Sequence, residues 1–482
     1  MVKTKNDVIE KNHENQGIKD CLGKAIEING STAYETCNER LTAFGGFLAL
    51  IKFLDLVEFK NIFEKHWFVN KRKTSLGCYR MILGCLSLLF IGFQRLGQFT
   101  YIRTDPVLCG FLCIDKLPAV STFWRYLQSL GTHYQICFLK IIADIRERVW
   151  KIAGIIITTI HINMDTTVTT VYGNIEGSRK GHNSKHRGKK ALRPALLFIE
   201  ETREYLYGCQ RKGETMSGHE VARHIKESKK YLPKQIEKVI FRGDGEFISH
   251  EAIGACKEVG YEYTMGNKRC TPDYPKNGWY KHGDYEYNEV IYQPIGWDSP
   301  ERFVVMRIPK DKMKDRQLIL LEDEQYAYRD FVTSLKWKSH KVIEDYDGRA
   351  AIEPCIGEVQ KAGLLAIPSK HFYMTQSFFQ LVMLAYNLWR WMNLIMNHAK
   401  KSTSNKENVQ NTPQKKSDES PTYSLIPILQ LKMLFIAAKI VTHGGQGKVR
   451  YSIHDARTAP LLDFMKYLDE QRRVEWQYKK VG

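Results

Sequence analysis

The stretch Ile155-Ile156-Ile157-Thr158-Thr159-Ile160-His161-Ile162-Asn163-Met164-Asp165-Thr166-Thr167-Val168-Thr169-Thr170-Val171-Tyr172 changes the period of the chain. β-Branched residues crowd it, which favours extended backbone and ends the helical spacing upstream. Asp165 stands inside it, and a strand rarely turns a carboxylate inward without compensating positive charge. Downstream, residues 193–199 and 204–209 read as two further strands around a turn at 200–203, most simply antiparallel. An amphipathic helix over 217–231 follows, with Ser217 as its cap. A buried strand at 238–242 then runs into Gly243-Asp244-Gly245, before a helix at 249–259 and a strand at 262–265. The expected order is β-β-β-α-β-α-β.

Outward from this core, residues 41–150 repeat apolar side chains every three or four positions and predict an all-α region. Within it, residues 118–127 read as a helix start capped by Ser121 or Thr122, with Arg125 free to meet DNA or, equally, as an internal helix packed by Phe123, Trp124 and Leu127. Residues 267–335 are turn-rich and aromatic, with strand-like pieces at 285–292, 302–308, 317–321 and 326–335. Helices are predicted over 339–367 and 375–398, a polar linker over 399–421, and helix again over 423–441 and 459–476. The expected domains are therefore 1–150 (α-helical, DNA-binding), 151–266 and 336–398 (two parts of one core), 267–335 (β-rich insertion), 399–421 (flexible linker) and 422–482 (C-terminal helical region).

A length of 482 residues excludes a single small binding module, and 43% hydrophobic with 26% charged residues excludes a wholly disordered chain. Lys and Arg number 72 against 53 Asp and Glu, a net charge of +19. Such an excess favours a polyanionic partner, since each cation placed on a phosphate releases a condensed counterion. Eleven scattered cysteines suit reduced thiols in the cytoplasm, and only Cys109 and Cys113 stand close, so no zinc site is expected. The longest apolar run, residues 81–93, is too short to cross a bilayer, and no membrane partner is expected.

Three acids stand out. Asp165 and Asp244 sit at strands, where α/β folds place their sites. The third is on the helix after the insertion: Tyr346, Arg349, Glu353 and Gln360 fall within roughly 60° of one another at 100° per residue. Two strand Asp and one helix Glu form a hard-oxygen set suited to Mg²⁺ or Mn²⁺. Two such ions about 3.5–4 Å apart activate a water and stabilise the leaving oxygen of a phosphodiester displacement.

This ordered set, Asp165 with Thr166-Thr167, then Arg242-Gly243-Asp244-Gly245-Glu246-Phe247, then Tyr346-x2-Arg349-x3-Glu353, resembles the DDE transposases of bacterial insertion sequences. It is similar in particular to the branch whose RNase H-like core carries a β-rich insertion before the last acid; Val171-Tyr172-Gly173 and Ala385-Tyr386-Asn387-Leu388 extend the likeness. The resemblance implies an α/β fold with an RNase H-like core, and Asp165, Asp244 and Glu353 as ligands of two Mg²⁺ or Mn²⁺ ions. It implies phosphate contacts from Tyr346 and Arg349, binding to terminal inverted repeats and target DNA, a homodimer on DNA, and a bacterial cytoplasmic protein associated with the nucleoid. The implied activity is cleavage at the element ends and transfer of 3′-hydroxyls. The alternatives are a nuclease of the same core without strand transfer and a catalytically inactive, transposase-derived DNA-binding protein.

The family signature ends in Lys seven residues after the Glu, where this chain has Gln360. Pro354 predicts a kink at Glu353, with Glu358 as the substitute ligand. Arg179, Lys180, Lys185, Arg187, Lys189 and Lys190, interspersed with His182 and His186, are expected on the DNA backbone, whereas Trp279 and Trp297 read more readily as core residues than as platforms for an unpaired base.

Overall fold

The computed structural model describes residues 27–67, 76–131, 134–181, 183, 186–270, 272–310, 325–407, 423–444 and 446–481. Its strands β1 (Thr159–Thr166), β2 (Ala195–Ile199), β3 (Glu204–Cys209), β4 (Lys238–Gly243) and β5 (Glu262–Gly266) form the core of one sheet. Four more, β6 (Tyr280–His282), β7 (Tyr285–Tyr292), β8 (Glu301–Pro309) and β9 (Tyr326–Thr333), extend it in the order β6-β7-β8-β9-β5-β4-β1-β2-β3. β1 pairs antiparallel with β2 and parallel with β4, which pairs parallel with β5. The α/β class and the strand order therefore follow the expectation. The β-rich insertion joins the core sheet directly, through the antiparallel pairs Thr264–Thr333, Met265–Val332 and Gly266–Phe331.

Alternation along β1 sets its two faces. Ile160, Ile162 and Met164 are fully buried on one, while His161, Asn163 and Asp165 point to the other. The edge strand β3 is closed by helix: Asn387, in the long Phe372–Glu407 helix, accepts the Tyr205 N–H and donates to the Tyr205 carbonyl, both at 2.8 Å. That pairing satisfies an otherwise open backbone edge and gives Asn387 of the Ala-Tyr-Asn-Leu segment a structural role.

The chain divides into two compact units, residues 1–56, 102–117 and 427–482, and residues 57–101 and 118–426. In the first, the helix Phe47–Leu56 lies along the C-terminal helix Thr458–Val481, with Lys52 bonded to Asp469 at 2.6 Å. In the second, helices from the N-terminal region, Gly77–Ile91 and Tyr134–Ile152, pack on the Phe372–Glu407 helix. No single described helix is long and apolar enough to cross a membrane.

Several local expectations change. The helix Val120–Ser129 begins after Ala119, with no side-chain cap from Ser121 or Thr122, and buries Phe123, Tyr126 and Leu127 as an internal helix does. Residues 438–441, the end of the helix expected over 423–441, belong instead to the strand Ala438–His443, which forms a hairpin with Gln446–Tyr451: Ile440, Val441 and Thr442 favour extended backbone, and Gly444 turns at φ +56°. The expected linker is helical up to Glu407, and its residues 408–421 lie outside the described residues, as does the strand-like piece 317–321.

Helix α1 (Ser339–Asp347) covers the polar face of the sheet. Val342, Ile343 and Tyr346 pack on Ile240 of β4, Val304 and Met306 of β8 and Phe331 of β9. Beside this apolar contact, Arg242 of β4 is 2% exposed and bonds both carboxylate oxygens of Asp345, at 2.6 and 3.0 Å, and Glu200 at 2.5 Å. His161 of β1 lies 3.0 Å from Asp345 and 2.6 Å from Glu201. Burial opposes charge on this imidazole, but hydrogen bonding to the two carboxylates prevails and raises its pKa to about 9.

Folding thus favours protonated His161, so its contribution is complete below pH 6.5 and lost as pH rises through about 9. A His161→Gln variant should be less stable than the parent at pH 6 by up to about 3 kcal/mol, the gap closing by pH 10. Denaturant titrations across that range measure it; a constant gap would remove the imidazolium from the network.

Candidate active site

The parallel register of β1 and β4 brings two acids together. Met164 pairs with Gly243, so Asp165, near the end of β1, and Asp244, the first residue after β4, emerge side by side at the carboxyl ends. Backbone amides hold each carboxylate: Thr166 N–H donates to Asp165 and Gly245 N–H to Asp244, both at 2.7 Å. Each also faces a cation, Arg349 Nη1 lying 3.4 Å from Asp165 Oδ2 and Lys268 Nζ 3.1 Å from Asp244 Oδ2.

The two carboxylates titrate in opposite directions. Burial drives Asp165 up to about 6 against the pull of Arg349 and the Thr166 amide, and the charges of Asp244 and Glu246 add to the rise. Asp244 is held below its ordinary value; burial acts against this, but the Gly245 amide and Lys268 outweigh it. Glu246 is itself fixed by Arg193 at 2.6 Å, which also donates to Thr166 Oγ1 at 3.0 Å.

Residues after α1 complete the surroundings. The helix expected over 339–367 changes its hydrogen bonding along the way: α1 ends at Asp347, a 3₁₀ turn spans Gly348–Ala351 with right-handed helical backbone at both its borders, and helix α2 runs Ile352–Val359. Pro354 falls in the first turn of α2, and Ala351, which leads into that turn, keeps right-handed helical backbone. Arg349 lies before Glu353 and reaches Asp165, while Gln360 lies after it and donates to Thr167 Oγ1 at 2.6 Å. Glu353 stands on the stretch bracketed by these two tethers to the end of β1, exposed and with no ion pair among the described residues.

Glu358 is corrected as the substitute ligand. It is buried, ion-paired with Arg390, and accepts the Ile426 N–H at 3.0 Å, so its oxygens are committed away from the two aspartates. Tyr346, expected on phosphate, is buried instead; its hydroxyl donates to the Gly243 carbonyl at 3.3 Å and its ring packs on Phe331. Among the described residues no three His, Cys, Asp or Glu converge closely enough to hold a metal ion. The two adjacent aspartates nevertheless suit a hard cation, since their mutual repulsion is what such an ion would relieve.

The basic segment forms a small sheet of its own, with Arg179–Lys180 and Thr169–Thr170 flanking Lys190–Leu192. Buried Asn183 pins it, donating to Thr170 at 3.0 Å and accepting the His186 N–H. Arg179, Lys180, Arg187, Lys189 and Lys190 are exposed, Arg179 being paired with Glu214; Lys185 and His182 lie outside the described residues. Trp279 is covered by the Arg307 guanidinium at 4.1 Å and donates to the Pro275 carbonyl, which makes it a packed residue, and Trp297 lies near His250.

Sequence reasoning missed Lys268, Glu246, Arg193 and the Arg242–Asp345 pair. Arg242 carried a signal, a charge in the otherwise apolar run Val239-Ile240-Phe241. Lys268 carried none, because only the sheet brings it to Asp244.

A family profile described as transposase DDE domain group 1 matches residues 33–412. No curated protein matches the chain. Among solved structures it is similar to a piggyBac transposase synaptic complex with hairpin DNA, at 8% identity over 82% of this chain and 92% of that one, TM-score 0.39. It is also similar to a Mos1 transposase paired-end complex with left transposon end, at 13% identity over 35% and 57%, TM-score 0.17.

Folding raises the pKa of Asp165, so its ionised form costs stability, absent below the usual carboxylate range and complete above about 6. In a chelator, Asp165→Asn should therefore be more stable than the parent at pH 8, by up to about 3 kcal/mol, and equal to it near pH 4. Thermal melts at the two pH values test this, and a variant less stable at pH 8 would contradict it.

Proposed function

The chain belongs to the transposase DDE domain group 1 family, and from that premise we propose that it binds the terminal inverted repeats of its own element, cuts the DNA at the ends, and joins the freed 3′-hydroxyls to target DNA. The observation that carries the reading is the adjacency of Asp165 and Asp244 at the ends of two parallel strands, with Arg349 beside them. Asp165, Asp244 and Glu353 would hold two divalent cations, Mg²⁺ or Mn²⁺, which supply an activated nucleophile and charge for the leaving oxygen.

The chain's own groups do the rest. Arg349 neutralises the phosphate that approaches the two carboxylates, and its guanidinium geometry suits the bidentate recognition of phosphate oxygens. Tyr346 and the Arg242–Asp345 pair act behind the site, holding the end of β4 and α1 so that Asp244 and Arg349 keep their spacing. The exposed cations of the 179–190 segment bind the DNA backbone without reading sequence, and two chains on two ends bring the ends together.

Water serves as nucleophile in cleavage and a 3′-hydroxyl in joining, each displacing an oxygen with no covalent intermediate on the protein. Asp165→Asn, Asp244→Asn and Glu353→Gln should each lower excision by roughly 100-fold or more, the scale of losing a transition-state group. An excision assay in cells, paired with a joining assay on pre-cut ends, measures both steps. Cleavage without joining would make the protein a nuclease, and activity unchanged in all three variants would leave only a DNA-binding role.

A further inference from the structure

Lys268 is built into the site more firmly than a surface lysine. It follows β5 and sends its side chain across Gly245 to Asp244, 3.1 Å away. A Cβ at position 245 would lie 2.6 Å from Lys268 Cγ and 3.0 Å from Cδ, so the glycine after Asp244 leaves the passage this stem occupies. The turn that carries it is fixed from below. Asn267, 3% exposed, donates its backbone N–H to the Asp330 carbonyl at 3.1 Å and its amide to the Asp330 carboxylate at 2.6 Å. Its Oδ1 accepts the N–H groups of Arg269 and Cys270, at 3.2 and 3.0 Å, closing the turn around Lys268.

The placement matters because of what stands elsewhere. Gln360, at the position where the family signature carries lysine, has no charge and spends its amide on Thr167. The aspartate pair is therefore flanked by one guanidinium, on the Asp165 side, and one ammonium, on the Asp244 side. The ammonium is half exposed, on a flexible stem, and can leave Asp244 without opening a core.

We propose that Lys268 is a phosphate-binding residue of this site: it neutralises Asp244 in the protein alone and moves to a phosphate oxygen of the bound strand when a divalent cation takes the carboxylates. The proposal rests on the transposase reading above. It makes cation and DNA binding mutually supportive, since the same event that fills the carboxylates frees a positive charge for the backbone.

The test uses the full chain as Lys268→Gln and Lys268→Arg, with Asp244→Asn as a control. Calorimetry with Mn²⁺ alone should show Lys268→Gln binding the ion roughly two- to five-fold more tightly than the parent, the scale of a half-exposed ion pair. A short duplex ending at the element's terminal repeat, bound in Ca²⁺, should bind Lys268→Gln more weakly, with a log–log salt slope smaller by about one. Lys268→Arg should restore the slope. Parental Mn²⁺ affinity or a parental salt slope in Lys268→Gln would overturn the proposal, even with Asp244→Asn inactive in cleavage. An Asp244→Asn protein that still cleaves would sink the transposase reading itself, and the Lys268 role with it.

Discussion

The pairing register of β1 and β4 is the constraint on which the site depends. With Met164 opposite Gly243, Asp165 and Asp244 leave their strands as neighbours; a slip of one residue would send one carboxylate to the other face of the sheet. Side chains on both faces oppose that slip. Ile160, Ile162 and Met164 would trade a fully buried face for the polar one, and Asn163 would lose its 2.7 Å bond to Glu200. An unpaired polar group this deeply buried costs more than the bond it loses, so the polar face specifies register as firmly as the apolar one.

The same polar face explains how a helix distant in sequence reaches the strand ends. Apolar packing alone would let α1 slide along its own axis over β4 and the insertion strands. The two-pronged bond from Arg242 to Asp345 fixes its position at one point, one residue before Tyr346. Tyr346 then touches the Gly243 carbonyl, and Arg349 arrives at Asp165. A buried ion pair of this kind adds little net stability after desolvation, but it selects one geometry among several that bury similar area. Position, more than stability, is what the chemistry of a two-carboxylate site requires.

The core was legible where local pattern and tertiary environment agree. The strands at 204–209 and 285–292 were read to the residue, and those around Asp165 and Asp244 to within a few residues, because aromatic, apolar and β-branched residues bounded by polar turns have one consistent interpretation there. The convergence of the two aspartates was legible only through their order along the chain. The 3₁₀ turn at Gly348–Ala351 was not, because Pro354 drew attention to Glu353 while the hydrogen bonding changes just before it, which leaves the proline in the first turn of α2. The start of the strand Ala438–His443, up to Val441, was read as helix for a related reason: it continues an apolar helical stretch, and only its partner strand makes extended backbone the better state. Glu358 looked available because sequence does not display Arg390, which lies on another helix.

The insertion also acquires a different meaning from the one its aromatic content suggested. Tryptophans in such a segment invite a reading as base-stacking platforms, yet the ring of Trp279 is already covered by Arg307, and Val304, Met306 and Phe331 form the floor under α1. Asp330 of β9 reaches further and holds the turn that presents Lys268 to Asp244. Strands added at the β5 edge therefore act on the site from two directions, beneath the helix with Arg349 and behind the loop with Lys268. These supporting contacts come from β8 and β9, whereas β6 and β7 lie farther from β5 in the sheet order. Structural support of the charged groups around Asp165 and Asp244 is thus sufficient reason for the insertion to sit where it does, before α1 and the turn that carries Arg349.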